Sequence, residues 1–237
     1  MAFLPSIRGL LDLIYPPACL GCGTLLELPE DFCTPCSWTV ELLGDRPQCP
    51  LCGEPLLQSE RRCARCIGSP PPFSRAASAS LHHGAIAQAI HRFKYGDHPE
   101  LAPGLTRLLV RGAESFLRGA PYLLCPIPLH SRRFLKRAYD QAGLLGACLA
   151  QQTGRSIDHR ALRRVRQTRP QVGLAEGARE QNVKDAFSAD SRRVQGRRLL
   201  LIDDVFTTGA TARSAARELL DAGAAEVQVL TLARAGS

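Results

Sequence analysis

Lysine is nearly absent: Lys94, Lys136 and Lys184 are the only three, so the formal net charge of +8 at pH 7 rests on arginine. The planar arginine fork donates two hydrogen bonds to one anion and so suits phosphate. Arginine also replaces lysine under genomic composition bias, and the charge alone therefore does not select nucleic acid as a partner. Aromatic residues make up 5% of the chain, which leaves few side chains for base stacking. Long hydrophobic runs are missing as well. Over residues 1–15, Leu4, Ile7, Leu10, Leu11 and Ile14 recur at helical spacing, but Pro5, Arg8 and Asp12 interrupt them. That pattern excludes a signal peptide or a membrane span and predicts a short docked helix. Without an export signal the chain is expected in the cytoplasm, where cysteines mean metal or chemistry and not disulfides. Neither Gly-x-x-x-x-Gly-Lys-Ser/Thr nor Gly-x-Gly-x-x-Gly occurs, which removes the P-loop and dinucleotide-binding readings.

What is present begins with cysteine. Eight of the ten fall in Cys-x-x-Cys pairs, Cys19/Cys22, Cys33/Cys36, Cys49/Cys52 and Cys63/Cys66, and a shift of thirty residues maps the first four onto the second four. Gly23 and Gly53 obey the same shift, so this is a duplicated unit. Zinc wants four tetrahedral ligands, and a tight turn supplies two thiolates when two residues separate them. The simplest assignment is two structural Zn2+ ions, one on Cys19, Cys22, Cys33 and Cys36 and one on Cys49, Cys52, Cys63 and Cys66. The spacing alone leaves an interleaved pairing open. A thioredoxin-like redox site would need a βαβ context that this segment lacks. Cys125 and Cys148 stand alone and read as buried thiols.

At 237 residues with 45% hydrophobic content, the chain can form one ordinary core with a small module beside it. The run Gly68 to Ser74 contains three prolines and marks the boundary. The expected organisation is an N-terminal helix with tandem four-cysteine ribbons over 1–70, a linker over 71–80 and a second domain over 81–237. In that domain 84–94, 98–117, 136–152 and 208–222 read as helices, and 122–127, 197–203 and 226–232 as strands. The alternation predicts an open, mainly parallel α/β sheet flanked by helices, whose ligands collect beyond the carboxyl ends of the strands.

One segment carries the functional signal. Residues 198–202 form an apolar strand ending in Asp203 and Asp204. After Val205 and Phe206, the stretch Thr207, Thr208, Gly209, Ala210 and Thr211 opens a helix. Free N–H groups, the helix dipole and threonine hydroxyls there suit a phosphate dianion, and Gly209 permits close approach. The two carboxylates suit ribose hydroxyls or magnesium. The alternative is that Asp204 and the threonines merely cap a helix, although capping needs only one such residue.

At these residues the chain resembles the type I phosphoribosyltransferases, whose signature is an apolar strand, two acids and a Thr-Gly-Thr-like loop. Together with the cysteine-rich front end, it resembles the ComF family of double-zinc-ribbon phosphoribosyltransferase-like proteins associated with DNA uptake in natural competence. Further matches are Phe93-Lys94-Tyr95, the strand end Pro126 to Leu129, and Gln171, Leu174, Arg179, Asn182 and Phe187 within 168–187. One departure stands out: Arg137-Ala138-Tyr139-Asp140-Gln141 replaces the family's Arg-Gly-Phe-Asn-Gln. The resemblance implies that residues 203–211 hold phosphoribosyl pyrophosphate, with Mg2+ accompanying the diphosphate.

Arg132, Arg133, Lys136, Arg137, Gln141 and Arg179 are candidate contacts for diphosphate or for nucleic-acid phosphate. The six arginines over 155–169 fit either a lid over substrate or a track for single-stranded DNA. No histidine is tied by spacing to a second catalytic group. Three functions follow: a competence factor binding phosphoribosyl pyrophosphate and single-stranded DNA, an active phosphoribosyltransferase acting on a base or amine, and a ribbon scaffold recruiting a helicase or recombination partner.

Overall fold

A computed structural model describes residues 16–44, 46–57, 60–119, 122–129, 139–166, 183 and 185–236. The sequence repeat is a structural repeat. The Cys19 N–H donates to Thr24 O and the Gly23 N–H to Cys19 O; thirty residues on, Cys49 donates to Glu54 O and Gly53 to Cys49 O. Gly23 and Gly53 sit at φ +81° and +72°, where a Cβ costs about 1–2 kcal/mol. In the second pair of each unit the first cysteine precedes a one-turn helix and the second lies within it: α1 (Thr34–Ser37) and α2 (Ala64–Gly68).

The rest of the chain runs β1 (Arg75–Leu81), α3 (Gly84–Tyr95), α4 (Ala102–Gly112), α5 (Glu114–Leu117), β2 (Leu123–Pro126), α6 (Gln141–Thr153), β3 (Leu162–Arg164), β4 (Phe187–Ala189), α7 (Ser191–Val194), β5 (Arg198–Phe206), α8 (Ala210–Asp221) and β6 (Glu226–Arg234). Four strands form a parallel sheet in the order β1-β6-β5-β2, and β3 and β4 form a separate antiparallel pair. The middle of the central strand β5, Leu199 to Ile202, is continuously apolar because helices cover both faces. Leu200, Ile202, Leu230 and Leu232 pack with Phe93, Leu105, Leu145 and Leu149, and Leu199, Leu201, Val227 and Val229 pack with Ala215 and Leu219.

The ribbons divide between these two faces. Cys19, Leu20 and Phe32 join the first cluster, whereas Cys49, Cys52 and Cys66 join the second. The duplicated unit thus straddles the edge strand β1 and also pairs with its backbone: Leu43 N–H donates to Ala79 O, Leu81 N–H to Glu41 O and Ala76 N–H to Leu51 O. The pairing covers an edge that would otherwise template association.

Several expectations change. The linker read over 71–80 contains all of β1 but Leu81, and the strand's Ala and Ser residues lack the bulk that signals a strand. Their smallness has a cause: Gly112 packs directly on the Ala79 backbone, and a Cβ at Gly53 would lie 2.8 Å from Ala76 O. The helix read over 98–117 is a 3-10 turn (Pro99–Leu101), α4 and α5, interrupted at Ala113. The helix read over 136–152 is seen as α6, with 136–138 outside the described residues. The strands read over 197–203 and 226–232 extend to Phe206 and Arg234. Among the described residues no helix is long and apolar enough to cross a membrane.

Candidate functional site

β5 carries its two acids to the carboxyl end of the sheet and then turns directly into α8. Gly209, the residue before α8, sits at φ +78°, and a Cβ there would lie 2.5 Å from the Phe206 ring. The turn therefore requires glycine twice over, for its backbone angle and for its space. We expect Gly209→Ala to cost about 2–4 kcal/mol from backbone strain and overpacking. Gly154→Ala, at φ +67° with nothing within 4 Å of the added Cβ, should cost only the strain, about 1–2 kcal/mol. Denaturant unfolding of both variants checks the difference.

Simple capping does not explain this segment. No side chain caps α8 through Gly209, and Thr208 Oγ1 accepts only a long 3.4 Å hydrogen bond from Ala210 N–H. Asp204 is engaged elsewhere, with Lys94 Nζ 2.7 Å from its Oδ1. Asp203 Oδ1 accepts from the Asp204 N–H at 2.8 Å. Burial, with the neighbouring Asp204 charge adding to it, pushes Asp203 up to about 7 against the pull of Lys94. His82 stands close enough to feel both Lys94 and Asp204, and burial lowers its pKa.

Gln141 is buried at the start of α6. Asp140 beside it is raised by burial, while the Gly143 and Ala142 N–H groups pull it down. That shift moves Asp140 toward its neutral form, which offers a donor and an acceptor as asparagine does. Arg132, Arg133, Lys136, Arg137 and Arg179 lie outside the described residues. Of the arginines over 155–169, Arg155 donates to Leu117 O and Arg164 lies over the Phe187 ring, while Arg160 and Arg163 are exposed. Cys125 is buried in β2, and burial raises its pKa to about 12, so it stays an unreactive thiol.

The cysteines gather into two separate clusters, Cys19, Cys22, Cys33 and Cys36, and Cys49, Cys52, Cys63 and Cys66, with the ligand atoms of each within 4.8 Å of one another. Sγ separations of 3.7 Å for Cys22–Cys33 and 3.5 Å for Cys52–Cys63 approach the roughly 3.8 Å edge of a tetrahedron with Zn–S near 2.3 Å. Burial, with neighbouring thiols adding to it, pushes Cys36 up to about 12 and Cys66 well above the usual thiol range. Four thiols packed this closely cannot all ionise without a cation. The donor sets fit two structural zinc ions with no position left for water.

Sequence reading named Lys94 only within a matching motif and missed Arg213 and Arg234. Lys94 pairs with Asp204. Arg213 of α8 donates to Ser69 O at 2.7 Å and Pro70 O at 3.1 Å. Arg234, fully buried at the end of β6, donates to Cys52 O at 2.8 Å, pairs with Glu54 and lies 4.7 Å from the Phe206 ring centroid. No local pattern could find these contacts, because each joins segments that only the topology brings together.

Residues 10–67 match the double zinc ribbon domain family. The chain is 34% identical to the DNA utilization protein YhgH of Escherichia coli K12 over 94% of this chain and 99% of that one. It is 31% identical to competence protein F of Haemophilus influenzae over 92% and 96%, and 28% identical to competence protein ComFC of Bacillus subtilis over 89% and 87%. A solved structure of glutamine phosphoribosylpyrophosphate amidotransferase from B. subtilis matches 60% of this chain and 30% of that one, at 22% identity and a TM-score of 0.40.

Proposed function

The chain belongs to the ComF family, and from that premise we propose that it is a DNA-handling protein of natural transformation that binds phosphoribosyl pyrophosphate with Mg2+ through residues 203–211 and single-stranded DNA through its arginines. The observation that carries this reading is the strand-loop-helix turn: two acids at the end of β5, a glycine at φ +78°, and the start of a twelve-residue helix. The 5-phosphate sits on the Thr207, Thr208, Gly209, Ala210 and Thr211 turn, where helix N–H groups and the dipole favour an anion. Asp203 and Asp204 take the ribose hydroxyls, and Mg2+ accompanies the diphosphate. Such a site supplies positioning and charge neutralisation, which is also what ribosyl transfer to a base or amine would need.

Calorimetric titration of the zinc-loaded protein with phosphoribosyl pyrophosphate and Mg2+, with and without a short single-stranded oligonucleotide, tests the reading. Affinity that DNA changes supports it. Affinity indifferent to DNA favours the transferase, to be sought by screening bases and amines. Asp203→Asn combined with Asp204→Asn should weaken ligand binding by about 100-fold or more, since each acid contributes a charged hydrogen bond. Unchanged affinity would remove the pocket assignment.

The fold should tolerate the first of these changes. Asp203 titrates at about 7 in the folded protein, against about 3.9 when unfolded. Its ionisation therefore opposes folding, absent below about pH 4 and complete above pH 7. Asp203→Asn removes that slope and should not destabilise the protein at neutral pH.

A further inference from the structure

We infer that Lys94 is the residue by which this site distinguishes a ribose phosphate bearing an anomeric diphosphate from ribose 5-phosphate: it neutralises Asp204 while the site is free and transfers to the diphosphate when ligand binds. The inference rests on the reading of residues 203–211 as a ribose phosphate site.

Lysine is rare in this arginine-rich chain, with three among 30 basic residues, so a lysine beside the acid pair is a departure from the prevailing composition. Its chemistry differs usefully from arginine's. An ammonium is a compact charge on a flexible stem, able to change partner without giving up a two-pronged geometry. Lys94 lies in the last turn of α3, where the helix dipole favours a cation. Its side chain is 19% exposed and its Nζ is 2.7 Å from Asp204 Oδ1.

The two residues before it fix its backbone. Arg92 donates to Cys19 O at 3.0 Å and Leu20 O at 2.9 Å. Phe93 is fully buried, its carbonyl accepts from Tyr139 Oη, and its ring centroid lies 5.6 Å from that of Tyr139. The stem of Lys94 thus starts from an anchored point, and its head is held by Asp204.

The charge balance explains why it must stay near. Asp203, Asp204 and Asp140 all act on one another or on this corner of the site, and both Asp203 and Asp140 are buried enough to resist ionising. With the acids on the ribose hydroxyls, the carbon bearing the 2-hydroxyl is bonded to the anomeric carbon. A cation resting on Asp204 is consequently within a side-chain swing of whatever that anomeric carbon carries. Ribose 5-phosphate offers it only a hydroxyl there, and Lys94 has no reason to leave Asp204.

The test compares phosphoribosyl pyrophosphate with Mg2+ and ribose 5-phosphate on the zinc-loaded, full-length protein and its Lys94→Met variant. Losing one charged hydrogen bond should weaken diphosphate binding by about 10- to 100-fold, with ribose 5-phosphate affinity changed by less than about threefold. Lys94→Arg should recover part of the preference. An equal loss for both ligands, or for neither, overturns the inference while leaving the site reading intact. Failure of the wild-type protein to bind either ligand overturns both. Should the variant not fold, the side-chain 15N resonances of the three lysines in the wild-type protein decide the matter. The Lys94 signal is expected to shift with phosphoribosyl pyrophosphate and not with ribose 5-phosphate; the same response to both counts against the exchange.

Discussion

Chelation of zinc should proceed in two steps, with ligand binding weakened after the first and lost after the second. The order follows from exposure. In the first cluster Cys22 is exposed and Cys33 and Cys36 are half-buried, whereas Cys49, Cys52 and Cys66 of the second are buried against the sheet. The size follows from how little else orders the ribbons. Leu20, Phe32 and Leu43 are their large buried side chains outside the cysteines, at about 1.5–3 kcal/mol each. Ordering costs about 1.5 kcal/mol per residue, so the roughly 10–16 kcal/mol from each structural zinc decides whether a ribbon folds. The coupling to ligand is asymmetric because Arg213 and Arg234 tie the second ribbon to α8 and to Phe206, whereas the first ribbon meets helices α3 and α4 through Arg92, Arg107 and Arg111. A metallochromic dye follows release, and calorimetry after each equivalent follows binding. Release of both ions at one rate, or binding that survives the loss of both, would contradict this account.

The parts of the structure legible in the sequence are those where chemistry imposes a spacing. Zinc fixes the cysteine intervals, and the thirty-residue repeat reappears as a repeat of hydrogen bonds. The β5 turn was legible because an apolar run buried on both faces ends in two acids and a glycine-bearing threonine stretch. Packing hid β1, since strands usually announce themselves with bulky branched residues, and this one is small where Gly112 and Gly53 press on its backbone. β3 and β4, three residues each, are too short to show a period. The break at Ala113 was masked by an apolar pattern that continues through it. The division of the ribbons between two sheet faces could not be read at all, because it depends on which edge of the sheet β1 occupies. Lys94 was visible only as part of a motif; its role depends on the end of α3 arriving beside the end of β5.

Arg234→Met should lower the melting temperature by roughly 6–20 °C and weaken ligand binding together with it. The guanidinium is 0% exposed and serves three groups at once: the Cys52 carbonyl at 2.8 Å, the Glu54 carboxylate and the face of Phe206. Removing it takes a buried cation away from the half-buried Glu54 carboxylate and from the Cys52 carbonyl, a change that costs about 3–5 kcal/mol. For a chain of this length each kcal/mol corresponds to about 2–4 °C. Arg107→Met breaks a pair with Asp31 that lies at the surface, the arginine being 52% exposed, and should cost under about 1 kcal/mol. Binding should suffer in Arg234→Met because Phe206 loses the flat cation that backs its ring, and that ring is what Gly209 packs against. Differential scanning calorimetry and ligand titration of the two variants separate the effects. If Arg234→Met melted lower while binding phosphoribosyl pyrophosphate as the wild type does, the arginine would be a fastening for the ribbon and nothing more. A parallel loss of both would mean that the phosphate turn holds its shape because the second ribbon presses on it through Arg234 and Phe206.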